Sequence, residues 1–222
     1  PGEVGSELRK IDNCKAVLLT HNDTSTAVQN DIGAISKEIR NSSDALILVD
    51  AVSSAGATPL PVEVWGLDMV ATASQKAWMA PPGIGMLTVS DRAWDAYERS
   101  TMPKYYFDIA QYRDFLNIGQ PPFTPALPTI YGLDVALQQL AAEGTESIFT
   151  RHSARAKQTR DGIRSIGLKL FADEESASDT VTAIMVPENI NATKLVTTMR
   201  DRYGVEISGG QGPLAGMIIR IG

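Results

Sequence analysis

Residues 45–51 read ALILVDA, a run of aliphatic side chains that ends on an aspartate. The run shows no polar–apolar alternation, so it describes a strand buried on both faces, as the strands of parallel sheets are. Upstream, AVLLT (16–20) has the same character, and between the two DIGAISKEIR (31–40) places apolar residues at helical spacing. Together they form one strand–helix–strand unit. DMVATAS (68–74) adds a third strand after the Pro-rich connection TPLPVEVWG (58–66). GMLTVS (85–90) follows the turn PPG (81–83) too closely for a helical crossover, so it is expected to pair antiparallel with what precedes it.

Farther out, residues 91–100 read as helix, and 101–127, rich in aromatics, Pro and Gly, as irregular connection. From Pro128 the pattern changes. PTIYGLDVALQQLAAEG (128–144) and TESIFTRHSARAKQTRDGIRSIG (145–167) are two long helical patterns stopped at Gly144 and Gly167, with Pro128 suited to a first turn. A strand (180–186), a helix (191–204) and a last strand (216–222) complete the chain. The expected fold is α/β: a larger, mostly parallel part over 1–127, then a smaller α+β part over 128–222 that includes the long connecting helix.

The chain has 222 residues, 43% of them hydrophobic, enough for one large domain or somewhat more with a real core. A net charge of −6 disfavours a nucleic-acid or anionic-membrane surface, which would want clustered Lys and Arg. A small metabolite is the expected partner. Cys14 is the one cysteine, so an intramolecular disulfide is excluded, and His21 and His152 lie too far apart in sequence for a local metal motif. No metal site is expected. No stretch approaches the roughly 18 apolar residues that span a bilayer, and no secretory leader opens the chain, which points to a cytoplasmic protein. The first residue is Pro rather than Met, so the ends are expected not to be natural.

In open parallel sheets, ligands bind beyond the carboxyl ends of the strands. HNDTST (21–26) follows the first strand, Asp50 ends the second, and Ser74-Gln75-Lys76 ends the third. Taken singly, each has a bland reading: a solvated lysine, an aspartate in a turn, a hydroxyl cluster that caps. Neighbouring strand ends share one crevice, however, and the combination of a carboxylate and a lysine without a thiol or metal ligands suits pyridoxal phosphate. That cofactor needs an amine to condense with its aldehyde and a carboxylate to keep its ring nitrogen protonated.

The segments LTHNDTSTAV, LILVDAVSSAGATPL, GLDMVATASQKAWMAPPGIG, FTPALPTIYGLDVAL and ISGGQGPLAGMIIRIG are similar, in order and spacing, to those of class V aminotransferases of pyridoxal-phosphate fold type I. That group includes the alanine:glyoxylate and serine:glyoxylate aminotransferases. The resemblance implies that Lys76 is the Schiff-base lysine and later the base between substrate Cα and cofactor C4′. It implies that Asp50 pairs with the pyridine nitrogen, Val52 packs on a ring face, and Thr24 and Gln75 contact the cofactor. Thr124 would reach the phosphate of a neighbouring subunit, which implies a homodimer, and Arg220 would hold the substrate carboxylate. The implied reaction moves an amino group from a small amino acid such as Ser or Ala to glyoxylate or another 2-oxo acid.

Asp23 stands where the family has glutamate, and Pro121 or Pro122 where an aromatic usually precedes the FTP segment. The family's Gly-rich phosphate turn and ring-stacking aromatic precede the first segment matched here, so the resemblance implies an N-terminally incomplete chain. Two other readings stand beside the aminotransferase: a truncated or non-catalytic form with weak or no cofactor binding, and a cysteine desulfurase-like lyase, for which Cys14 has no catalytic loop around it. His152, set among Arg, Lys and Gln, is expected on a solvated helix face, and His21 is expected to be structural. Trp65, Trp78 and Trp94 are expected in the core or an interface, with Trp78 also a candidate for the pocket wall.

Overall fold

The computed structural model describes all of residues 1–222. The run that opened the sequence reading is a strand at the centre of a four-stranded sheet. With strands numbered along the chain, β1 is Ala16–Thr20, β2 Asn22–Asp23, β3 Val28–Gln29, β4 Leu46–Asp50, β5 Met69–Ala73 and β6 Gly85–Val89. The large sheet has the order β1-β4-β5-β6. β1, β4 and β5 run parallel, and β6 pairs antiparallel with β5, as the short Pro-Pro-Gly connection requires.

Two helices lie at the start of this part, α1 (Gly2–Leu8) and α2 (Ile32–Ser42). α2 is the crossover between β1 and β4. The Asp31 side chain caps its N-terminus by accepting the Ala34 N–H. Its apolar stripe supplies Ile32 and Ile39, which are fully buried against Ile47, Val49 and Val70 of the sheet. Burying each such isoleucine stabilises the fold by about 1.5–3 kcal/mol. α1, which the sequence reading did not assign, packs against α2 and adds Leu8 to the same core.

The frame of the large sheet converges on one carboxylate. Asp68, which immediately precedes β5, is 1% exposed. Its Oδ2 accepts the Ile47 N–H at 2.7 Å and Arg40 Nη2 at 2.6 Å, while Oδ1 accepts the Ser90 hydroxyl at 2.9 Å. Arg92 approaches Oδ1 at 3.3 Å from a more exposed position. One side chain thus links β4, the start of β5, the residue after β6, and α2. Burial alone would raise the Asp68 carboxyl, but the Arg40, Ile47 and Ser90 hydrogen bonds hold it below its ordinary value.

The remaining helices are α3 (Asp91–Glu98), α4 (Ile109–Leu116), α5 (Leu127–Glu143), α6 (Thr145–Ser165) and α7 (Ala192–Tyr203). Gly144, at φ +84°, ends α5 and lets α6 begin at once, and Gly167, at φ +79°, follows the end of α6, both where the sequence marked stops. α4 lies inside the stretch read as irregular. It is capped by Asp108, which accepts the Ala110 N–H and the Tyr97 hydroxyl, and it buries no residue. Tyr105, Tyr106 and Tyr112 gather around Phe123 beside it.

A second sheet, in the order β7-β9-β8, is antiparallel and comprises β7 (Thr182–Met185), β8 (Ser208–Gly209) and β9 (Ile218–Ile221). One of its apolar clusters joins Ile184 and Ile219 to Ala192, Leu195 and Val196 of α7. The other receives Ala27, from the β2–β3 hairpin that follows β1, against Val181, Ala183 and Ile218. The hairpin therefore belongs to the large sheet by sequence and to the small sheet by packing. No helix is long and apolar enough to cross a membrane.

Asp68→Ala leaves Arg40, the Ser90 hydroxyl and the Ile47 N–H without their shared acceptor, and is expected to cost roughly 3–5 kcal/mol in urea unfolding near neutral pH. Because the folded carboxyl lies below 3.8, its contribution is complete above that value and is lost as pH falls through the lower folded value. The stability gap between wild type and Asp68→Ala should therefore close in acid; a gap independent of pH would contradict this role.

Candidate active-site cleft

Lys76 sits on the loop between β5 and β6, and that loop is closed on itself by Ser74. Ser74 is fully buried. Its N–H donates to the Ile84 carbonyl at 3.0 Å, and its own carbonyl accepts the Ala80 N–H at 3.0 Å. Its hydroxyl donates to the Pro81 carbonyl at 2.7 Å and accepts the Ile84 N–H at 3.3 Å. Both arms of the loop are thus fastened to the residue that follows β5. Within it, Met79 adopts φ +56°, a left-handed conformation costly for a residue with a side chain, and its N–H returns to the Lys76 carbonyl. Lys76 itself is exposed and makes no ion pair or hydrogen bond to the protein.

Opposite this loop stands Arg220, on the central strand of the small sheet and 8% exposed. Its Nη1 donates to the Thr24 carbonyl at 2.9 Å and its Nε to the Gly209 carbonyl at 3.1 Å. The guanidinium plane is fixed by these two bonds, and Nη2 makes no hydrogen bond to the protein. Thr24 belongs to the hairpin that plugs into the small sheet, so Arg220 is oriented by the same segment that joins the sheets.

Between them lies a cleft of about 570 Å³ lined by Thr24, Ser53, Lys76, Met79, Arg151, His152, Thr180, Ser208, Gln211 and Arg220, with Ala57, Ala77, Val181 and Gly222. Of the residues that the sequence pointed to, the structure brings Thr24, Lys76 and Arg220 onto its walls. Asp50 and Val52 lie at the adjoining end of β4 and do not line it. There Asp50 Oδ1 accepts the Val52 N–H at 2.9 Å, and the Asp50 carbonyl accepts the His21 N–H. Gln75 is exposed beside Lys76, and Thr124 is exposed on the segment before α5; neither lines the cleft.

The cleft holds basic side chains and no carboxylate among its lining residues, in a chain whose net charge is −6. That local sign suits an anionic ligand. Arg151 is neutralised by Glu143, with Nε–Oε1 at 2.6 Å and Nη2–Oε2 at 2.9 Å. A helix-wide view of charge placed His152 in solvent, but its ring is half-buried on the cleft wall. Burial, and then the adjacent Arg151, push it below its ordinary value of 6.5, against weaker opposing pulls from Glu143 and Asp179.

Ser53 and Thr180 were also missed. Asn22, 4% exposed, donates its amide to the Ser53 hydroxyl at 2.8 Å and to Thr180 Oγ1 at 3.1 Å, bridging the two sheets behind the cleft. Ser53 was visible in DAVSS directly after Asp50; Thr180 carried no local signal. Trp78 does not line this cleft. Its indole N–H donates to Thr72 Oγ1, and it faces a separate apolar cavity between the large sheet and α5–α6. His21 is 1% exposed, edge-on to Trp65 at 6.2 Å, in keeping with a structural role.

A family model described as Aminotransferase class-V matches residues 4–218. The chain is 43% identical over 208 residues to the soluble hydrogenase 42 kDa subunit of Anabaena cylindrica, covering 94% of this chain and 54% of that protein. It is 38% identical over 224 residues to a serine–glyoxylate aminotransferase of Arabidopsis thaliana, covering 99% of this chain and 56% of that protein. Among solved structures, a pyridoxamine-pyruvate aminotransferase from Mesorhizobium loti is 34% identical, with a TM-score of 0.95, over 100% of this chain and 57% of that one. The chain thus spans about half the length of the curated relatives it matches.

Ser74→Ala leaves the Ile84 N–H without its side-chain acceptor and the Pro81 carbonyl without its donor at a fully buried position. It is expected to lower stability by roughly 1–3 kcal/mol in urea, and to speed proteolytic cleavage within residues 75–84. Unchanged cleavage there would show that Ser74 does not hold the Lys76 loop.

Proposed function

The chain belongs to the class-V aminotransferase family, and from that premise we propose that it works in a pyridoxal-phosphate-dependent transfer of an amino group from a small amino acid, such as Ser or Ala, to glyoxylate or another 2-oxo acid. The observation that carries this reading is the pairing, across one cleft, of an unpartnered lysine on a fastened loop with a guanidinium that is oriented by backbone carbonyls yet keeps Nη2 free. When bound, pyridoxal phosphate supplies an aldehyde that condenses with an amine and a ring that takes up the electron pair released at the donor Cα. The residues fit that group: a free amine, a cation-lined cleft, and a carboxylate at the adjoining strand end.

Each residue then has a task in chemical terms. Lys76 would hold the group, its amine condensing with the aldehyde as water leaves, and the same amine would then carry the proton between the donor Cα and cofactor C4′. Asp50, at the adjoining end of β4, would keep the ring nitrogen protonated by the opposite-charge effect, and Val52 would pack on a ring face. Thr24, on the cleft wall, would contact the cofactor, Gln75 would do so only from beside Lys76 at the cleft's edge, and Arg220 would clamp the donor carboxylate. Thr124, exposed in one copy, reaches the phosphate held by a second copy. Exposed apolar side chains in the same stretch of chain, among them Met102 at 75%, Phe107 at 86%, Leu116 at 77% and Tyr131 at 69%, support a homodimer.

A desulfurase needs a mobile thiol at the site. Cys14 is half-buried before β1, where its Sγ lies 3.5 Å from the Ala16 carbonyl, and it does not line the cleft.

Adding pyridoxal phosphate should produce a visible absorbance band that Lys76→Ala abolishes. Arg220→Lys should keep the band while lowering kcat/KM for amino donors by roughly 10- to 100-fold, the worth of a lost charged hydrogen-bonded contact. A wild-type protein without a Lys76-dependent band would contradict the proposal and favour a non-catalytic member of the family. Sedimentation should give a dimer; an active monomer would remove the role of Thr124.

A further inference from the structure

α5 carries a glycine in its second turn, inside PTIYGLDVAL, although a helix interior disfavours one. Its surroundings supply a reason. A Cβ on Gly132 would lie 3.0 Å from Pro81 Cδ, inside the separation of about 3.5–4.0 Å at which packed carbon atoms rest. Thr129, three residues earlier and on the same face of the helix, makes the companion contact. It is 8% exposed, its hydroxyl reaches the Pro82 carbonyl at 3.5 Å, and a Cβ on Gly83 would come within 3.2 Å of Thr129 Oγ1. The first two turns of α5 are thus seated on the Pro-Pro-Gly turn, with a glycine on each side of the joint.

That turn is the returning arm of the Lys76 loop. Pro81 gives its carbonyl to the Ser74 hydroxyl, and the Ala80 and Ile84 N–H groups on either side of it also donate to Ser74. A displacement of Pro81 is therefore passed to Ser74 and from there to both arms of the loop. The Pro81 ring is closed on its own backbone nitrogen and cannot swing aside as a flexible side chain would. α5 is anchored behind the contact by the buried Leu133, Ala136 and Leu140, so an atom added at Gly132 moves the turn. We propose that Gly132 is a positioning residue for Lys76: by carrying no side chain it lets α5 seat on Pro81, and that seat, through Ser74, sets where the loop presents the Lys76 amine. The inference rests on the aminotransferase reading for what the amine does; the seat itself is a property of the fold.

On helix propensity alone, Gly132→Ala favours α5. The proposal predicts a loss at the loop instead. With pyridoxal phosphate, Gly132→Ala should slow formation of the Lys76-dependent absorbance band by roughly 3- to 30-fold, short of the ~100-fold that a misplacement of about 1 Å can cost. Independently of any cofactor, it should speed amide hydrogen exchange at Ala80 and Ile84 by roughly 3-fold or more, while the Ile47 and Asp68 amides in the frame of the large sheet keep their wild-type exchange. Pro81→Ala removes the ring atoms and makes room for the added methyl, so in that background Gly132→Ala should change either readout by less than about 2-fold. Thr129→Ala loosens the same seat by removing atoms, and should also speed exchange at Ala80 and Ile84.

Wild-type exchange at Ala80 and Ile84 in Gly132→Ala, the same loss with and without Pro81→Ala, or faster exchange spread equally to Ile47 and Asp68 would each overturn the role of Gly132. A wild-type protein without a Lys76-dependent band would sink the aminotransferase reading alone, because the exchange measurements still decide whether Gly132 sets the loop.

Discussion

The placement of Lys76 begins at the other end of β5, with the buried carboxylate of Asp68. A charge that is 1% exposed is tolerable only because every direction around it is filled by a donor: the Ile47 N–H, the Arg40 guanidinium and the Ser90 hydroxyl. Those donors come from β4, α2 and the residue after β6, so satisfying one carboxylate sets where β5 starts relative to its neighbours on both sides. From that fixed start β5 runs to Ala73, and Ser74 then gathers the loop that follows. Register at one edge of the sheet becomes position at the other.

The second half of the cleft is placed by a different device. The β2–β3 hairpin leaves β1 of the large sheet and buries Ala27 in the small one, with Asn22 and Thr24 facing across the junction. Arg220 is held on this hairpin through a backbone carbonyl, which no side-chain substitution at Thr24 removes. Two carbonyls fix the plane of the Arg220 guanidinium, and the hairpin transmits the position of the large sheet to it.

The strands AVLLT and ALILVDA, the antiparallel return after Pro-Pro-Gly and the helix stops at Gly144 and Gly167 were legible because each rests on local chemistry: hydrophobic runs, loop length and glycine conformation. Lys76 was legible as a candidate from its position at a strand end, whereas Arg220 stood out only through the resemblance carried by the ISGGQGPLAGMIIRIG segment. α4 was hidden because its Asp108 cap sits in a stretch dominated by Pro and aromatic residues. The hairpin was hidden because strands of two residues have no period to detect. His152 was misplaced because its sequence neighbours are charged, while its burial depends on how α6 crosses the cleft, a tertiary fact that periodicity along one helix does not contain. Asp68 read only as the first residue of a strand; its partners are spread from Arg40 to Arg92.

The account stands on Lys76 being the amine that the fold presents to a carbonyl cofactor. Reducing the protein with borohydride in the presence of pyridoxal phosphate, then mapping the modified peptides by mass spectrometry, tests this most directly. The account predicts stoichiometric modification confined to the peptide containing Lys76. Label scattered over surface lysines such as Lys10, Lys37 and Lys157, with Lys76 no more modified than they are, would contradict it.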